Sequence, residues 1–267
     1  MSTNILATIV QHKLIEVAER KKQIQVAALE EMPLFAALAY SLKSNLLNPA
    51  LTGIIAEFKR QSPSKGVIND KASVASVTNA YAKFGAAGIS VLTDAQFFGG
   101  KLEDLSVAVD NPIPVLRKEF IIDEFQLVEA KAYGASVILL IAACLTPAET
   151  KSLALFAKSI GLEVLLEIHD ATELGHINDG VDFVGINNRS LKSFEVNIEH
   201  SLQLKDQLPK DKLAIAESGI YSVETFKLLK QEGFHGFLMG EYFMKEANPA
   251  AAFETFVKTI QPNDHAI

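Results

Sequence analysis

Disulfide bonds and membrane segments are the first features that this chain lacks. Among its 267 residues only Cys144 is a cysteine, so no disulfide can form within the chain, and a reducing compartment is expected. The most continuous apolar run, Val137 to Leu145, is far shorter than the roughly 20 residues that cross a bilayer. The first residues, MSTNILATIVQHK, lack the basic start and longer apolar stretch of a signal peptide. We therefore expect a cytoplasmic protein with no membrane partner.

Positive charge is also scarce. The chain has 25 Lys and Arg against 32 Asp and Glu, a formal net charge of -7, and its pI is near 5.4. Binding to phosphate backbones requires a broad excess of Lys and Arg, so a nucleic-acid partner is not expected. Any anionic small-molecule ligand must instead be held by local groups. The composition suits a single domain over residues 1–267, expected to be a monomer or a weak homo-oligomer.

Eight short apolar runs recur along the chain, most with polar or charged residues at their carboxyl ends. Helical patterns lie between them, for example Val74 to Phe84. This alternation predicts an α/β fold, a (β/α)8 TIM barrel over about residues 54–260. An N-terminal helical extension over residues 1–50 precedes it, with a helical stripe from Ile5 to Val17 and a second helical segment, LFAALAYSLK. No glycine fingerprint follows the first strand, which disfavours a doubly wound sheet. The predicted strands are Ile54 to Lys59, Gly88 to Thr93, Pro114 to Phe120, Ser136 to Ile141, Glu163 to His169, Phe183 to Asn187, Leu213 to Glu217 and Gly236 to Met239.

The ends of the first and third predicted strands carry charged side chains. In a parallel barrel the strand ends point into one bowl, where polar residues are more often chemistry than packing. Glu57 and Lys59 stand two apart and face the same way, as a structural ion pair or as part of a site. In PVLRKEFI the alternation places Leu116, Lys118 and Phe120 on the interior side. Such a lysine either meets a carboxylate structurally or is a general acid whose pKa is lowered by burial and neighbouring cations.

The fifth and sixth predicted strands also end in polar residues. Glu167 could act as a base if its surroundings raise its pKa. His169 is expected to be a hydrogen-bonded residue of the rim, and because no HxH or HExxH spacing occurs, no metal is predicted. Asn187 and Arg189 share one side and supply a neutral hydrogen-bonding group and a guanidinium suited to carboxylate or phosphate, although Asn/Arg turns are also common without function.

Small residues end the seventh and eighth predicted strands, in AESGI and LMGEYFM. Gly219 and Gly240 let backbone N–H groups approach a ligand just before helical segments, an arrangement that holds phosphate in many barrels. Ser62 and Ser218 could add hydroxyl donors. Any one of these turns alone is also compatible with a plain turn.

Seven motifs, taken in order, closely resemble those of indole-3-glycerol-phosphate synthases. The resemblance spans residues 54 to about 245, and the N-terminal helices resemble that family's extension. Lys101, after FFGG, and Tyr242, in MGEYFM, stand where the family usually has serine and a smaller residue. The motifs are IIAEFKRQSPSKG, VLTDAQFFGG, VLRKEFIIDEFQ, LLEIHD, GINNRSLKSFEVN, IAESGI and LMGEYFM.

The resemblance implies a cofactor-independent lyase of tryptophan biosynthesis. Its substrate, 1-(2-carboxyphenylamino)-1-deoxyribulose 5-phosphate, would lose carbon dioxide and water to become indole-3-glycerol phosphate. Lys118 would be the general acid, with Lys59 binding the substrate carboxylate or sharing that role, and Glu167 the base or acid of the dehydration. Glu57 and Asn187 would orient the lysines and the ligand hydroxyls. The implied binding residues are Arg189 and Glu217 in the polar wall, Phe97, Phe120 and Leu139 against the anthranilate ring, and Ser62, Ser218, Gly219, Gly240 and Glu241 at the phosphate.

Two other functions stay open at this point. Phosphoribosylanthranilate isomerase shares the fold and a similar ligand, but its usual Cys and Asp pair is not evident here. A non-catalytic barrel that binds a phosphorylated metabolite is the other alternative. The paired lysines together with Glu167 favour the synthase.

Overall fold

Eight parallel strands close into a barrel in the computed structural model of this chain, which describes residues 5–189 and 196–261. Each strand pairs in parallel with the next along the chain, and β8 closes the barrel against β1, where Phe237 lies opposite Ile54. The predicted (β/α)8 fold is confirmed. The strands are β1 (Ile54–Phe58), β2 (Gly88–Leu92), β3 (Val115–Lys118), β4 (Val137–Ile141), β5 (Glu163–Ile168), β6 (Phe183–Asn187), β7 (Leu213–Glu217) and β8 (Gly236–Met239).

Most of the helices start where a short polar side chain caps them. Thr146 shows the clearest case, because its hydroxyl accepts from the backbone of Glu149 while the Glu149 carboxylate accepts from the backbone of Thr146. The helices are α1 (Ile5–Gln23), α2 (Val26–Glu30), α3 (Leu42–Leu46), α4 (Val74–Lys83), α5 (Ala95–Phe98), α6 (Leu102–Ala108), α7 (Glu124–Ala132), α8 (Pro147–Ser159), α9 (Ile198–Lys205), α10 (Val223–Gln231), α11 (Glu241–Met244) and α12 (Pro249–Ile260).

Three short elements complete the fold. A 3₁₀ turn, Ala142–Cys144, follows β4, and a small antiparallel hairpin after β1 pairs Gln61–Ser62 with Gly66–Val67. The return from β5 to β6 contains only a 3₁₀ helix, Ala171–His176, so the described chain departs from strict strand-helix alternation there. Among the described residues, no helix is both long and apolar enough to cross a bilayer.

The barrel strands are buried on both faces, which explains their nearly continuous apolar character. Inward side chains such as Leu139, Leu165 and Phe183 fill the barrel interior, while residues such as Val164 and Ile186 pack under the surrounding helices. Burying a side chain of this size stabilises the fold by roughly 1.5–3 kcal/mol. Because the interior is packed with apolar side chains, the polar residues at the carboxyl ends of the strands lie around the open end of the barrel.

The N-terminal extension is helical only in part. Helix α1 buries Ile9, Lys13 and Val17, which are four residues apart and therefore lie on one face. The expectation that LFAALAYSLK forms a helix was wrong, because residues 34–40 form turns and coil. The Ser41 hydroxyl caps the next helix, which begins only at Leu42. Phe35 packs against the core cluster that contains Val17, but Leu38 stays 99% exposed, so the run does not bury a continuous helical face.

Helix α6 offers a test of the capping argument. Lys101 occupies its N-cap with an extended backbone but makes no capping hydrogen bond. A serine there would accept from the first turn and remove a cation from the positive end of the helix. Lys101→Ser should therefore be about 1 kcal/mol more stable in urea denaturation than Lys101→Ala, its matched control. Equal stability of the two variants would contradict this account of the helix start.

Candidate active site

A cavity of about 190 Å³ opens at the carboxyl ends of the strands. It is lined by the ends of most barrel strands, by the loops after β1, β7 and β8, and by the apolar face of α1. Nearly all of the predicted site residues meet here, although they come from distant parts of the sequence. Those that line it are Glu57, Lys59, Ser62, Lys118, Phe120, Leu139, Glu167, Asn187, Arg189, Glu217, Ser218, Gly219, Gly240 and Glu241.

Lys118 lies at the end of β3 between two carboxylates. Its Nζ atom is 3.2 Å from Glu167 Oε2 and 3.2 Å from Glu217 Oε2. Burial by itself disfavours the ammonium, but the charges of Glu217, Glu167 and Glu57 outweigh it and raise the pKa of Lys118 above its ordinary value. Of the two alternatives for this lysine, contact with carboxylates is confirmed, and a pKa lowered by neighbouring cations was wrong, since carboxylates rather than cations dominate around it. Lys118 is a partly buried cation, 14% exposed, held between two carboxylates.

The two carboxylates beside Lys118 differ in charge. Burial would raise the pKa of Glu167, yet the positive charges of Lys118 and His169 and a hydrogen bond from Asn187 Nδ2 (2.9 Å) lower it to about 2. Burial raises the pKa of Glu217 to about 7; Lys118 opposes this shift, and the charge of Glu167 adds to it. The raised pKa that would make Glu167 a base is therefore not observed; the carboxyl group whose pKa is raised is that of Glu217. Near neutral pH Glu167 is therefore fully ionised, whereas Glu217 can exchange a proton.

Glu57 and Lys59 form the second ion pair of the cavity. Lys59 Nζ lies 2.6 Å from Glu57 Oε1, because alternation turns both side chains inward at the end of β1. Gly240 allows this carboxylate to sit close to the β8 loop, where a Cβ atom would come within 2.6 Å of Glu57 Oε1. Glu57 therefore holds Lys59 at the mouth of the barrel and also contributes to the negative field around Lys118.

Asn187 and Arg189 line the same side of the cavity, as their spacing predicts. Asn187 Oδ1 accepts from the Arg189 backbone at 3.0 Å, which fixes the turn after β6. The Arg189 guanidinium donates to the Tyr221 hydroxyl at 2.7 Å and lies 3.4 Å from Glu241 Oε2. This places a guanidinium next to the loops that follow β7 and β8.

The turn after β7 brings two consecutive residues, Glu217 and Ser218, to the same cavity. The strand ends at Glu217, and both Ser218 (φ 63°) and Gly219 (φ 73°) are left-handed, so Glu217 and Ser218 can both line the cavity. A Cβ atom on Gly219 would come within 2.3 Å of Val196. Asn188 holds the turn by donating from Nδ2 to the Ser218 carbonyl at 2.7 Å. A turn can aim successive backbone N–H groups at an anion.

The apolar wall differs from the predicted one in two ways. Phe98, not Phe97, joins Phe120 and Leu139 at the cavity. The two phenylalanines are adjacent on the short helix α5, where a step of one residue turns the side chain by about 100°, and Phe97 instead contacts the ring of His12 edge-on.

Helix α1 supplies the other part of this wall. Ile5, Leu6 and Ile9 line the cavity, which the sequence reading did not foresee. Their helical spacing was visible, but nothing in it distinguished a cavity wall from an ordinary packed face.

His169 and Cys144 lie outside this lining. The His169 ring is 3.4 Å from Glu167 Oε1 and 3.6 Å from Glu173 Oε2; burial disfavours its charge, but Glu173 and Glu167 raise its pKa. Burial raises the pKa of the Cys144 thiol to about 12, with Glu167 and Glu173 adding to the shift. The thiol is therefore a poor acid or nucleophile near neutral pH. Within residues 5–189 and 196–261, no group of three or more His, Cys, Asp or Glu is placed to hold a metal ion.

Gly185 on β6 tests how tightly Glu217 is enclosed. A Cβ atom there would meet Glu217 Oε1 at 2.0 Å and Leu165 at 3.2 Å, whereas one on Gly175 would meet nothing within 4 Å. Gly185→Ala should therefore cost ~1–3 kcal/mol of unfolding free energy through overpacking, and the control Gly175→Ala should be nearly neutral. Urea denaturation measures both, and equal stability of the two variants would show that Glu217 moves freely.

The chain matches a known family over most of its length. Residues 6–256 match the family model described as Indole-3-glycerol phosphate synthase. A protein of that name from Bacteroides thetaiotaomicron is 45% identical over 261 residues, which cover 97% of this chain and 99% of the relative. Another from Paracidovorax citrulli is 40% identical, covering 94% and 97% of the two chains.

Solved structures resemble the chain more distantly. The 3-hexulose-6-phosphate synthase of Salmonella typhimurium has a TM-score of 0.61 at 11% identity, covering 78% of this chain and 98% of that chain. A structure described as "Native KDPGal structure" has a TM-score of 0.57 at 15% identity, covering 78% and 92%. Identity at this level shows the barrel fold alone. The family match and the relatives carry the assignment: this chain belongs to the indole-3-glycerol phosphate synthase family.

Proposed function

We propose that this barrel converts 1-(2-carboxyphenylamino)-1-deoxyribulose 5-phosphate into indole-3-glycerol phosphate, with Lys118 as the general acid of ring closure. The observation that carries the proposal is the partly buried ammonium of Lys118, 3.2 Å from each of two carboxylates inside the cavity. The aromatic carbon that bears the carboxylate attacks the ribulose carbonyl, and Lys118 gives a proton to the carbonyl oxygen. Carbon dioxide then leaves, and loss of water completes the pyrrole ring.

The raised pKa of Lys118 suits this role. The side chain is protonated at neutral pH and presents a full positive charge where the carbonyl oxygen becomes negative. A fixed cation in a site of low dielectric stabilises that developing charge without reorganising. Proton transfer becomes favourable only as the oxygen becomes basic, in the transition state. Lys59 is the candidate for binding the substrate carboxylate, held for that purpose by Glu57.

Glu167 becomes a base once Lys118 has given up its proton. While the ammonium is present its charge depresses the pKa of Glu167, and a neutral amine no longer does so. The two proton transfers are thereby ordered in time. In the dehydration, Glu167 takes a proton from the carbon of the new ring that is bonded to nitrogen. Glu217, whose pKa is about 7, is suited to give a proton to the hydroxyl on the neighbouring carbon, which leaves as water. Asn187 keeps Glu167 in place through its 2.9 Å hydrogen bond.

Binding of the substrate uses the remaining walls. Phe98, Phe120 and Leu139 offer an apolar surface to the anthranilate ring. The phosphate is assigned to the loops after β1, β7 and β8, with the turn at Ser218 and Gly219 supplying backbone donors. The phosphate group is proposed to contact Ser62, Ser218, Gly219, Gly240 and, through its backbone, Glu241.

An isomerase that uses a cysteine is disfavoured by the placement of the only thiol. Cys144 does not line the cavity, and burial holds its pKa far above neutrality. A non-catalytic barrel would bind the substrate without converting it, so a measurement of turnover separates it from the synthase.

Indole fluorescence gives a direct assay, because the chain contains no tryptophan. We expect turnover by the wild type and a loss of roughly 10²–10⁴-fold in kcat for Lys118→Ala and for Glu167→Gln, the range typical of general acid-base groups. Inhibition by inorganic phosphate should stay unchanged in both variants, which controls for an intact binding site. A wild type that binds substrate without forming indole would support the binding barrel, and full activity in Lys118→Ala would remove its acid role.

A further inference from the structure

Lys13 of helix α1 is a fully buried cation outside the cavity. Its Nζ atom lies 2.8 Å from Asp94 Oδ2 and 3.0 Å from Glu119 Oε1, and it also reaches the partly exposed Glu16 at 2.9 Å. Burial disfavours its charge, but Glu119 and Asp94 hold its pKa above the ordinary value. The N-terminal extension is thus joined to the barrel by an ion cluster shielded from solvent.

Asp94 controls the segment that follows β2. Its other oxygen, Oδ1, accepts from the backbone of Phe97 at 2.6 Å and of Phe98 at 3.1 Å, which starts helix α5. Its backbone carbonyl accepts from Gly100 at 2.7 Å. Because Phe98 lines the cavity, the position of Asp94 sets the position of part of the apolar wall.

Glu119 controls the segment that follows β3. It comes directly after Lys118, and its Oε1 atom accepts from the backbone of Phe120, another cavity residue, at 2.9 Å. Its Oε2 atom accepts from the Thr93 hydroxyl at 2.7 Å, which ties this segment to the end of β2. Lys13 therefore bridges the two strand ends that carry the catalytic lysine and two aromatic cavity residues.

Lys13 also fixes the placement of α1. It lies four residues after Ile9 and eight after Ile5, on the same helix face, and both isoleucines line the cavity. Lys13 thereby fixes the position of two parts of the cavity wall, the part formed by α1 and the part formed after the strand ends.

The energetics favour a geometric role for this cluster. Desolvating an ion pair costs several kcal/mol per ion, and well-packed apolar residues are often as stable or more stable in its place. A buried lysine between two carboxylates is thus a weak source of stability. It fixes distances and directions, because each charged group must keep its partner.

We propose that Lys13 is a positioning residue, which holds α1, Phe98 and the Lys118–Phe120 segment in the arrangement that ring closure requires. The proposal rests on the proposed function of the cavity. Misplacement of reacting groups by about 1 Å can cost on the order of 100-fold in rate. Removing Lys13 should lower kcat and raise KM, because both the acid and the apolar wall depend on it.

Lys13→Met alone leaves buried Asp94 without a cation and leaves Glu119 only Arg117, 3.9 Å away, so this variant is expected to be less stable. The informative variant is therefore Lys13→Met with Asp94→Asn and Glu119→Gln, which removes the charges of Lys13 and of both buried carboxylates that contact it. Partly exposed Glu16 keeps its charge, and Arg117 keeps its ion pair with Glu129 at 2.7 Å. Lys21→Met is the matched control, since Lys21 lies on the same helix and forms an exposed pair with Asp123. For each protein, thermal unfolding, kcat, KM and the inhibition constant of inorganic phosphate are measured well below the melting temperature.

A positioning role predicts that the triple variant regains stability relative to Lys13→Met while kcat/KM stays about 10-fold to 100-fold below wild type. The inhibition constant of phosphate should not change, because the loops assigned to phosphate follow β1, β7 and β8, whereas Lys13 contacts the segments after β2 and β3. Should Lys13→Met not fold, the triple variant alone decides. Recovery of kcat/KM together with stability would overturn the proposal, as would wild-type kinetics in folded Lys13→Met. Absence of turnover in the wild type would instead refute the proposed function.

Discussion

The ammonium of Lys118, held between the carboxylates of Glu167 and Glu217, is the interaction on which the rest of the site depends. Two buried carboxylates this close repel each other, and the lysine makes the pair tolerable. The resulting frame keeps the cation charged, keeps Glu167 ionised and leaves Glu217 able to exchange a proton near neutrality. Loss of one proton from Lys118 to substrate changes the basicity of both partners, which links the two halves of the proposed reaction.

The barrel brings these groups together from strands that are far apart in sequence. Parallel strands place their carboxyl ends in one ring, and the packed apolar interior below excludes water from the base of the site. The N-terminal helix covers this end with Ile5 and Ile9 and is anchored by the buried cluster of Lys13, Asp94 and Glu119. The extension is therefore part of the cavity wall.

Sequence reasoning reached the barrel and most of the cavity because strand alternation decides which side chains face inward. Lys118 and Glu167 follow directly from that rule. The charge states did not follow, since they depend on neighbours from other strands: the pKa of Lys118 is raised rather than lowered, and the pKa of Glu167 is lowered rather than raised. The exchange of Phe97 for Phe98 depends on the phase of a four-residue helix, and the role of Lys13 requires three-dimensional contacts among segments about 80 and 106 residues away in the chain, a separation that local periodicity does not span.

Carbon-13 NMR titration of the glutamate carboxyl carbons tests the central claim most directly, with Glu217→Gln and Glu167→Gln used to assign the two signals. The account predicts that Glu217 titrates near pH 7 and that Glu167 stays ionised down to about pH 2. Because the folded pKa of Glu217 is raised from 4.5, its contribution to stability is present below that value and is lost as the pH rises through about 7. Ordinary titration of both groups near 4.5, or the reverse order, would contradict the proposed division of charge around Lys118.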